Sequence, residues 1–126
     1  MSGSVYSTAE IDLPENLPVP TGYHILVVHP KVNETTSGGL FLPPDIKKAE
    51  DIASIVCRVV TIGKDAYPDT DPRFSDGPWC VEGDWVLLSK YTGHRFEYEG
   101  VELRIINDDS VMAVIGDPTR VSRATA

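Results

Sequence analysis

The sequence predicts an all-β chain, a small barrel from which two long loops depart. Three observations carry that reading. Apolar residues fall in short runs rich in valine and isoleucine, such as "YHILVVHP" and "SIVCRVVTIG", and branched side chains of this kind suit a pleated, half-buried surface. Glycine, proline, asparagine and aspartate punctuate the chain between the runs, where turns are made. No stretch sustains a helical period, and short strands at turn-marked intervals are the pattern of a barrel or sandwich.

Taken in order, the first ten residues are dominated by polar side chains, and Pro14, Pro18 and Pro20 interrupt the next ten; little regular structure is expected there. The first strand lies in "YHILVVHP", stopped by Pro30, which has no amide to donate. The second runs from Ser54 to Gly63 and the third through "GDWVLLSKY". "RFEYEGVELRII" reads as a hairpin: Phe96 and Tyr98 on one arm, Val101, Leu103 and Ile105 on the other, about a turn at Glu99-Gly100. A turn at Asp108-Asp109 leads to a last strand from Ser110 to Ile115, and "GDPTRVSRATA" trails as a tail. The expected units are a flexible extension over 1–19, one domain over 20–116 and a tail over 117–126.

Two irregular segments remain, Lys31 to Ala53 and Lys64 to Gly83. Compact domains seldom carry such loops without a use for them. The first contains "TTSGGLFLPPDIKKAED", in which Leu40, Phe41 and Leu42 stand between Gly38-Gly39 and Pro43-Pro44. The glycines permit positive φ and the prolines cannot pair in a sheet, so the triplet has few local partners. It either tucks against the barrel or is kept for another protein; the bland alternative is a strand that turns at the glycines and ends at the prolines. The second loop sets Asp65, Asp69, Asp71 and Asp76 against Lys64 and Arg73. Its spacing lacks the order of a calcium loop, so no metal is expected. Pro68, Pro72 and Pro78 indicate an exposed, semi-rigid excursion.

At 126 residues and 41% hydrophobic content the chain suits one domain with its own core. No apolar run is long enough to span a bilayer, and the polar start lacks a basic-then-apolar leader; a soluble, non-secreted protein is expected, without a membrane partner. Eleven basic against 19 acidic residues leave a net charge of −8. That balance opposes nucleic acid as the partner, which demands clustered Lys and Arg. Cys57 and Cys80 form no zinc-type spacing and are expected as thiols, Cys57 as a small core residue. His24 and His29 are five positions apart, so on one strand they face opposite sides. No Ser/His/Asp or Cys/His order and no glycine-rich dinucleotide turn is present. An enzyme is not expected, nor any cofactor.

The order of these features resembles the GroES-type co-chaperonins, the small lid proteins of the GroEL chaperonin. The resemblance runs from about Leu17 to Ile115. Pro20 and "YHILVV" stand where the family has a proline and its first strand. "ETTSGGLFLP" resembles the family's mobile loop, a polar lead, Ser-Gly-Gly and an apolar triplet. "CRVVTIGKD" resembles its next strand, and "VEGDWVLLSKYTGHRFEYEGVELRIINDDSVMAVI" its terminal pattern. The sequence departs from the family in "PPDIKKAEDIAS", in a longer, Pro- and Asp-rich Lys64–Gly83 segment, and in Thr92 where a glycine follows the dome tyrosine. Such departures point to a divergent member, of the kind a phage would encode.

The resemblance implies a GroES-like barrel with a mobile loop and a roof loop. It implies a homo-heptameric ring that caps a GroEL-type chaperonin in the cytoplasm and encloses unfolded client proteins. Any ATP dependence would belong to the partner. Ser37, Gly38, Gly39, Leu40, Phe41 and Leu42 would contact the chaperonin, and Tyr91 would line the dome cavity. The first strand of one subunit would meet the last of its neighbour, giving Ile25 and Val27 against Val111, Ala113 and Ile115; both strands inside one barrel is the other reading. Seven copies of the acidic loop would repel one another about the ring axis. The rival function is a structural or assembly protein, such as a viral one, that reuses the barrel without binding a chaperonin.

Overall fold

The computed structural model describes residues 12–32 and 50–122, Ala124, and the backbone of three short strands, Tyr6–Ser7 (β1), Thr35–Thr36 (β4) and Gly39–Leu40 (β5). Lys31–Val32 is β3. The body is a six-stranded sheet of His24–Val28 (β2), Val56–Ile62 (β6), Trp85–Leu87 (β7), His94–Tyr98 (β8), Val101–Asn107 (β9) and Ala113–Ile115 (β10). The order is β10-β7-β6-β2-β9-β8, and every neighbouring pair is antiparallel. All six expected strands are present and the fold is all-β. Among the described residues no helix is long and apolar enough to cross a membrane.

β2 lies in the middle of the sheet, and both its faces are covered. Ile25 and Val27 join Cys57, Val59, Val86, Leu88 and Ile106 in an inner core. Leu26 and Val28 point the other way and pack with Leu103, Phe96, Tyr98 and Val101. A strand buried on both faces needs a continuous apolar run, which is what "ILVV" supplies. Each of these side chains contributes about 1.5–3 kcal/mol through burial.

The register between β2 and β6 slips between Leu26 and Val27, leaving Val60 as an extra residue on β6. The bulge resets the parity of the strand. Cys57 and Val59 face the inner core, Val60 faces the outer cluster, and Ile62 returns to the inner side. The β8–β9 hairpin closes as predicted at Glu99 and Gly100, with φ of 49° and 81°. Both are left-handed, as a two-residue turn matched to strand twist requires.

One expectation is corrected and two gain detail. Lys64–Gly83 is not simply an exposed excursion: Tyr67, Phe74 and Cys80 are buried in the inner core. Phe74 sits in a 3₁₀ turn, Pro72–Phe74, whose first amides are capped by the Asp71 carboxylate accepting from the Arg73 amide. Among the described residues of the first twenty, regular structure is confined to the two-residue β1, which pairs with β3; Leu17 packs on the outer cluster and the Tyr98 hydroxyl donates to the Asn16 carbonyl at 2.8 Å. The tail does not leave the body at once. Pro118 is buried in another 3₁₀ turn, Pro118–Arg120, and Val121 packs beside Ile52, Trp85 and Ile115. Proline in Lys64–Gly83 reads as a mark of exposure, whereas Asp71 and Pro72 cap and begin a turn whose Phe74 lies in the core.

Candidate functional site

The loop that carries the apolar triplet leaves the barrel through β3 and returns through a helical turn at 50–53. Just beyond β3, Thr35 pairs with Leu40 and Thr36 with Gly39, antiparallel. Each arm of this narrow ladder has two residues. Ser37, Gly38, Phe41 and Leu42 lie outside the described residues; of the six expected chaperonin contacts, Gly39 and Leu40 are placed, on β5.

The return is firmly seated. The Ser54 amide donates to the Glu50 carbonyl at 3.0 Å and the Ser54 hydroxyl to the Asp51 carbonyl at 2.6 Å. Ile52 is buried against Val56, Trp85 and Leu87. His29, the residue after β2, reaches across to this turn: its Nδ1–H donates to the Ala53 carbonyl at 2.7 Å. One buried imidazole therefore ties the outgoing strand to the returning turn. Burial holds its pKa below the ordinary histidine value, the Ala53 bond opposes that, and the Arg104 charge adds to it.

Cys57 lies against the same ring, with Sγ 3.6 Å from Nδ1. Burial pushes this thiol up to about 12. It is a packed thiol, not a nucleophilic thiolate. Arg104 is fully buried nearby, with Nη1 donating to the Ser89 carbonyl at 3.3 Å. Its Nε and Nη2 have no hydrogen-bond partner among the described residues, and burial lowers its pKa. The sequence held a signal for this: Leu103 and Ile105 share one face, so Arg104 must share the opposite, inward face with Ile106. The pairing of His29 with Ala53, 24 positions away, had no local signal.

The expected subunit contact is only partly available. β2 is hydrogen-bonded on one side to β6 and on the other to β9, and Ile25 and Val27 are fully buried in the protomer. No edge of β2 is free for a neighbouring copy, so these two residues are corrected to core positions. Val111 is also in the inner core, and Ile115 packs on Trp85 and Leu87. Among the described residues β10 pairs with β7 on one side only and forms an end of the sheet. Ala113 and Val114 within it, and Met112 just before it, are exposed.

At the other candidate position, Tyr91 is 89% exposed, with the Lys90 ammonium 5.8 Å from its ring centre. The turn that presents it is made by the Thr92 amide donating to the Ser89 carbonyl. Gly93 then takes φ +73°, and a Cβ there would lie 2.1 Å from the Ile105 carbonyl oxygen. The glycine this turn needs stands one position after Thr92.

The long acidic segment closes over the inner core. Tyr67, Phe74 and Trp79 pack edge to face or tilted at centroid separations of 5.0–6.1 Å. Arg73 bridges Asp71 at 2.9 Å and Asp109 at 2.8 Å, and the buried Asp108 carboxylate accepts from the Tyr67 amide. These carboxylates are thus committed to an arginine and an amide. Among the described residues no group of three or more His, Cys, Asp or Glu is placed to hold a metal. The aromatic plug was the residue set that sequence reasoning missed, although Tyr67, Phe74 and Trp79 punctuate the segment.

Comparison with known proteins bears on the whole of this arrangement. The family model of the chaperonin 10 kDa subunit matches residues 19–115. A co-chaperonin GroES of Geobacillus stearothermophilus is 31% identical over 97 residues, covering 77% of this chain and 97% of that protein. A co-chaperonin GroES of Chlamydia felis is 37% identical over 100 residues, covering 76% of this chain and 88% of that protein.

Proposed function

Because the chain belongs to the GroES-type co-chaperonin family, we propose that it caps a GroEL-type chaperonin as a ring and helps to enclose unfolded client proteins in the cytoplasm. The observation that carries this reading is that the family match spans the barrel and the hairpin bearing Gly39 and Leu40 together. Leu40, Phe41 and Leu42, led by Ser37, Gly38 and Gly39, are the proposed anchor. They bury apolar surface in a groove of the partner while the loop gives up conformational freedom. Each contact is weak. A heptamer joins seven of them, and linking even two sites adds about 10²–10⁴ in avidity. The chain carries no nucleotide-binding motif, so the ATP cycle is the partner's.

The ring contact rests on β10. Its free edge, flanked by exposed Val114 and Met112, is a surface that closure of a ring would cover. The complementary element is an extended segment with available backbone groups, such as the one before β2, where Val19 is 77% exposed. Tyr91 supplies an aromatic surface toward the enclosed space.

The test is co-migration of the purified oligomer with a GroEL-type chaperonin, with and without ATP, beside Phe41→Asp. Nucleotide-dependent binding that the variant loses, with its own oligomer intact, is the expected result. Binding by neither protein favours a structural role for the barrel. Binding retained by the variant removes the triplet as the anchor.

A further inference from the structure

The first 18 residues lie outside the family match, which starts at residue 19, yet they contact the barrel in two places. Leu17 packs on the outer cluster and Asn16 accepts from the Tyr98 hydroxyl. Leu13 lines a hollow together with Val28, Arg58, Val60 and Glu82. The chain also reaches the root of the partner loop: Tyr6 pairs with Val32 and Ser7 with Lys31, antiparallel.

We propose that the N-terminal extension is a strap that holds the root of the loop in extended form and so sets how readily the hairpin beyond it engages a partner; the second half of this rests on the co-chaperonin reading. The physical argument starts from β3. It has two residues, comes directly after Pro30, and has β1 as its only ladder partner among the described residues. Without β1 it has no ladder partner among the described residues, and an unpaired backbone samples many conformations. Ladder pairing removes that freedom beforehand, and ordering completed before binding is not charged to the binding step. The opposite end of the loop is already seated by Ile52 and by the His29–Ala53 bond. The strap supplies the matching restraint at the outgoing end. The extension is secured to the barrel by Leu17 and Asn16, so the restraint has a packed surface behind it.

The experiment compares the full chain with a form lacking residues 1–11, by hydrogen exchange of the peptide covering Lys31–Val32 and by affinity for a GroEL-type chaperonin with ATP. The expected result is exchange at least tenfold faster at β3 in the shortened form, unchanged exchange in β2 and β6, and binding about tenfold weaker. Equal exchange at β3 in the two forms overturns the strap. Faster exchange with unaltered affinity overturns its role in engagement. If neither form binds, the co-chaperonin reading falls and the exchange still decides whether the root is held. Should truncation disturb β2, the full chain carrying Tyr6→Cys and Val32→Cys decides instead: ready cross-linking under mild oxidation, which slows β3 exchange further, is expected, and failure to cross-link overturns the pairing.

Discussion

Phe74→Ala separates a packed roof segment from an exposed one. Phe74 is 1% exposed. Its ring meets Tyr67 and Trp79, each at 5.0 Å between centroids, and the Arg73 guanidinium lies 4.9 Å from its centre. Truncating a buried phenylalanine costs about 3–5 kcal/mol. The two aromatic pairs, at about 0.5–1.5 kcal/mol each, favour the upper half of that range, so a loss of about 4 kcal/mol is expected. That is a large part of the roughly 5–15 kcal/mol that holds a domain together. With a urea slope near about 2 kcal/mol/M for a chain of this size, the midpoint falls by about 2 M. The assay is urea unfolding followed by circular dichroism and tryptophan fluorescence at one fixed protomer concentration, since assembly adds to apparent stability. A loss below about 1 kcal/mol is what an exposed excursion would give, and it would refute the view that this segment completes the core.

Three further outcomes rest on the same geometry. Gly93→Ala adds a Cβ 2.1 Å from the Ile105 carbonyl oxygen at φ +73°; a loss of about 2–4 kcal/mol by urea unfolding is expected, and a change within about 0.5 kcal/mol would show that the turn adapts freely. Arg104→Met removes two buried nitrogens, Nε and Nη2, that lack partners among the described residues, each unmade bond costing about 1–3 kcal/mol; stability is expected to hold or rise, and a loss beyond about 2 kcal/mol would mean that the guanidinium is paired. For His29 the sign runs from burial, which lowers the folded pKa beneath the unfolded value of 6.5. The unfolded chain then binds the extra proton first, so the contribution is fully present above 6.5 and is lost as pH falls toward the folded value. Arg104, Arg95 and Glu102 act on the same group. His29→Asn, which keeps a donor for the Ala53 carbonyl and does not titrate, is expected to flatten the fall in stability below that pH; an unchanged slope would place it on other groups.

The strands were legible because their signals are local. "ILVV" announces a strand buried on both faces, and Glu99-Gly100 between alternating arms announces a hairpin. The loops were not, because what holds them is remote in sequence. Phe74 finds Tyr67 and Trp79 nearby, but the core they fill comes from Ile25, Val59 and Ile106. Tyr6 finds Val32 only once β2 has laid down its path. The placing of Ile25 and Val27 in the protomer core has a related reason. The run that looks most like an interface strand is the most buried one, since apolar content reports burial and does not say whose atoms do the burying. Only the topology distinguishes β2, with two occupied edges, from β10, with one.

The two ends of the loop proposed to bind the partner obey a common rule. A loop that must order on binding loses affinity for every residue left free, yet a loop ordered throughout would behave as another strand of the barrel. The chain answers at the boundaries. Ile52 and Ala53 are buried and the Ala53 carbonyl is held by His29, while Lys31 and Val32 are paired with the start of the chain. Both restraints act on backbone outside the Ser37–Leu42 stretch, so they shorten the length that must order without touching the side chains proposed to bind. Loop-closure entropy grows only slowly with length, so moving the anchors inward gains little from closure itself. The gain comes from residues whose φ and ψ are already set, which scales with their number. Changes at Tyr6, Ser7 or His29 should therefore alter the strength of engagement, whereas changes at Leu40, Phe41 or Leu42 should decide whether engagement occurs.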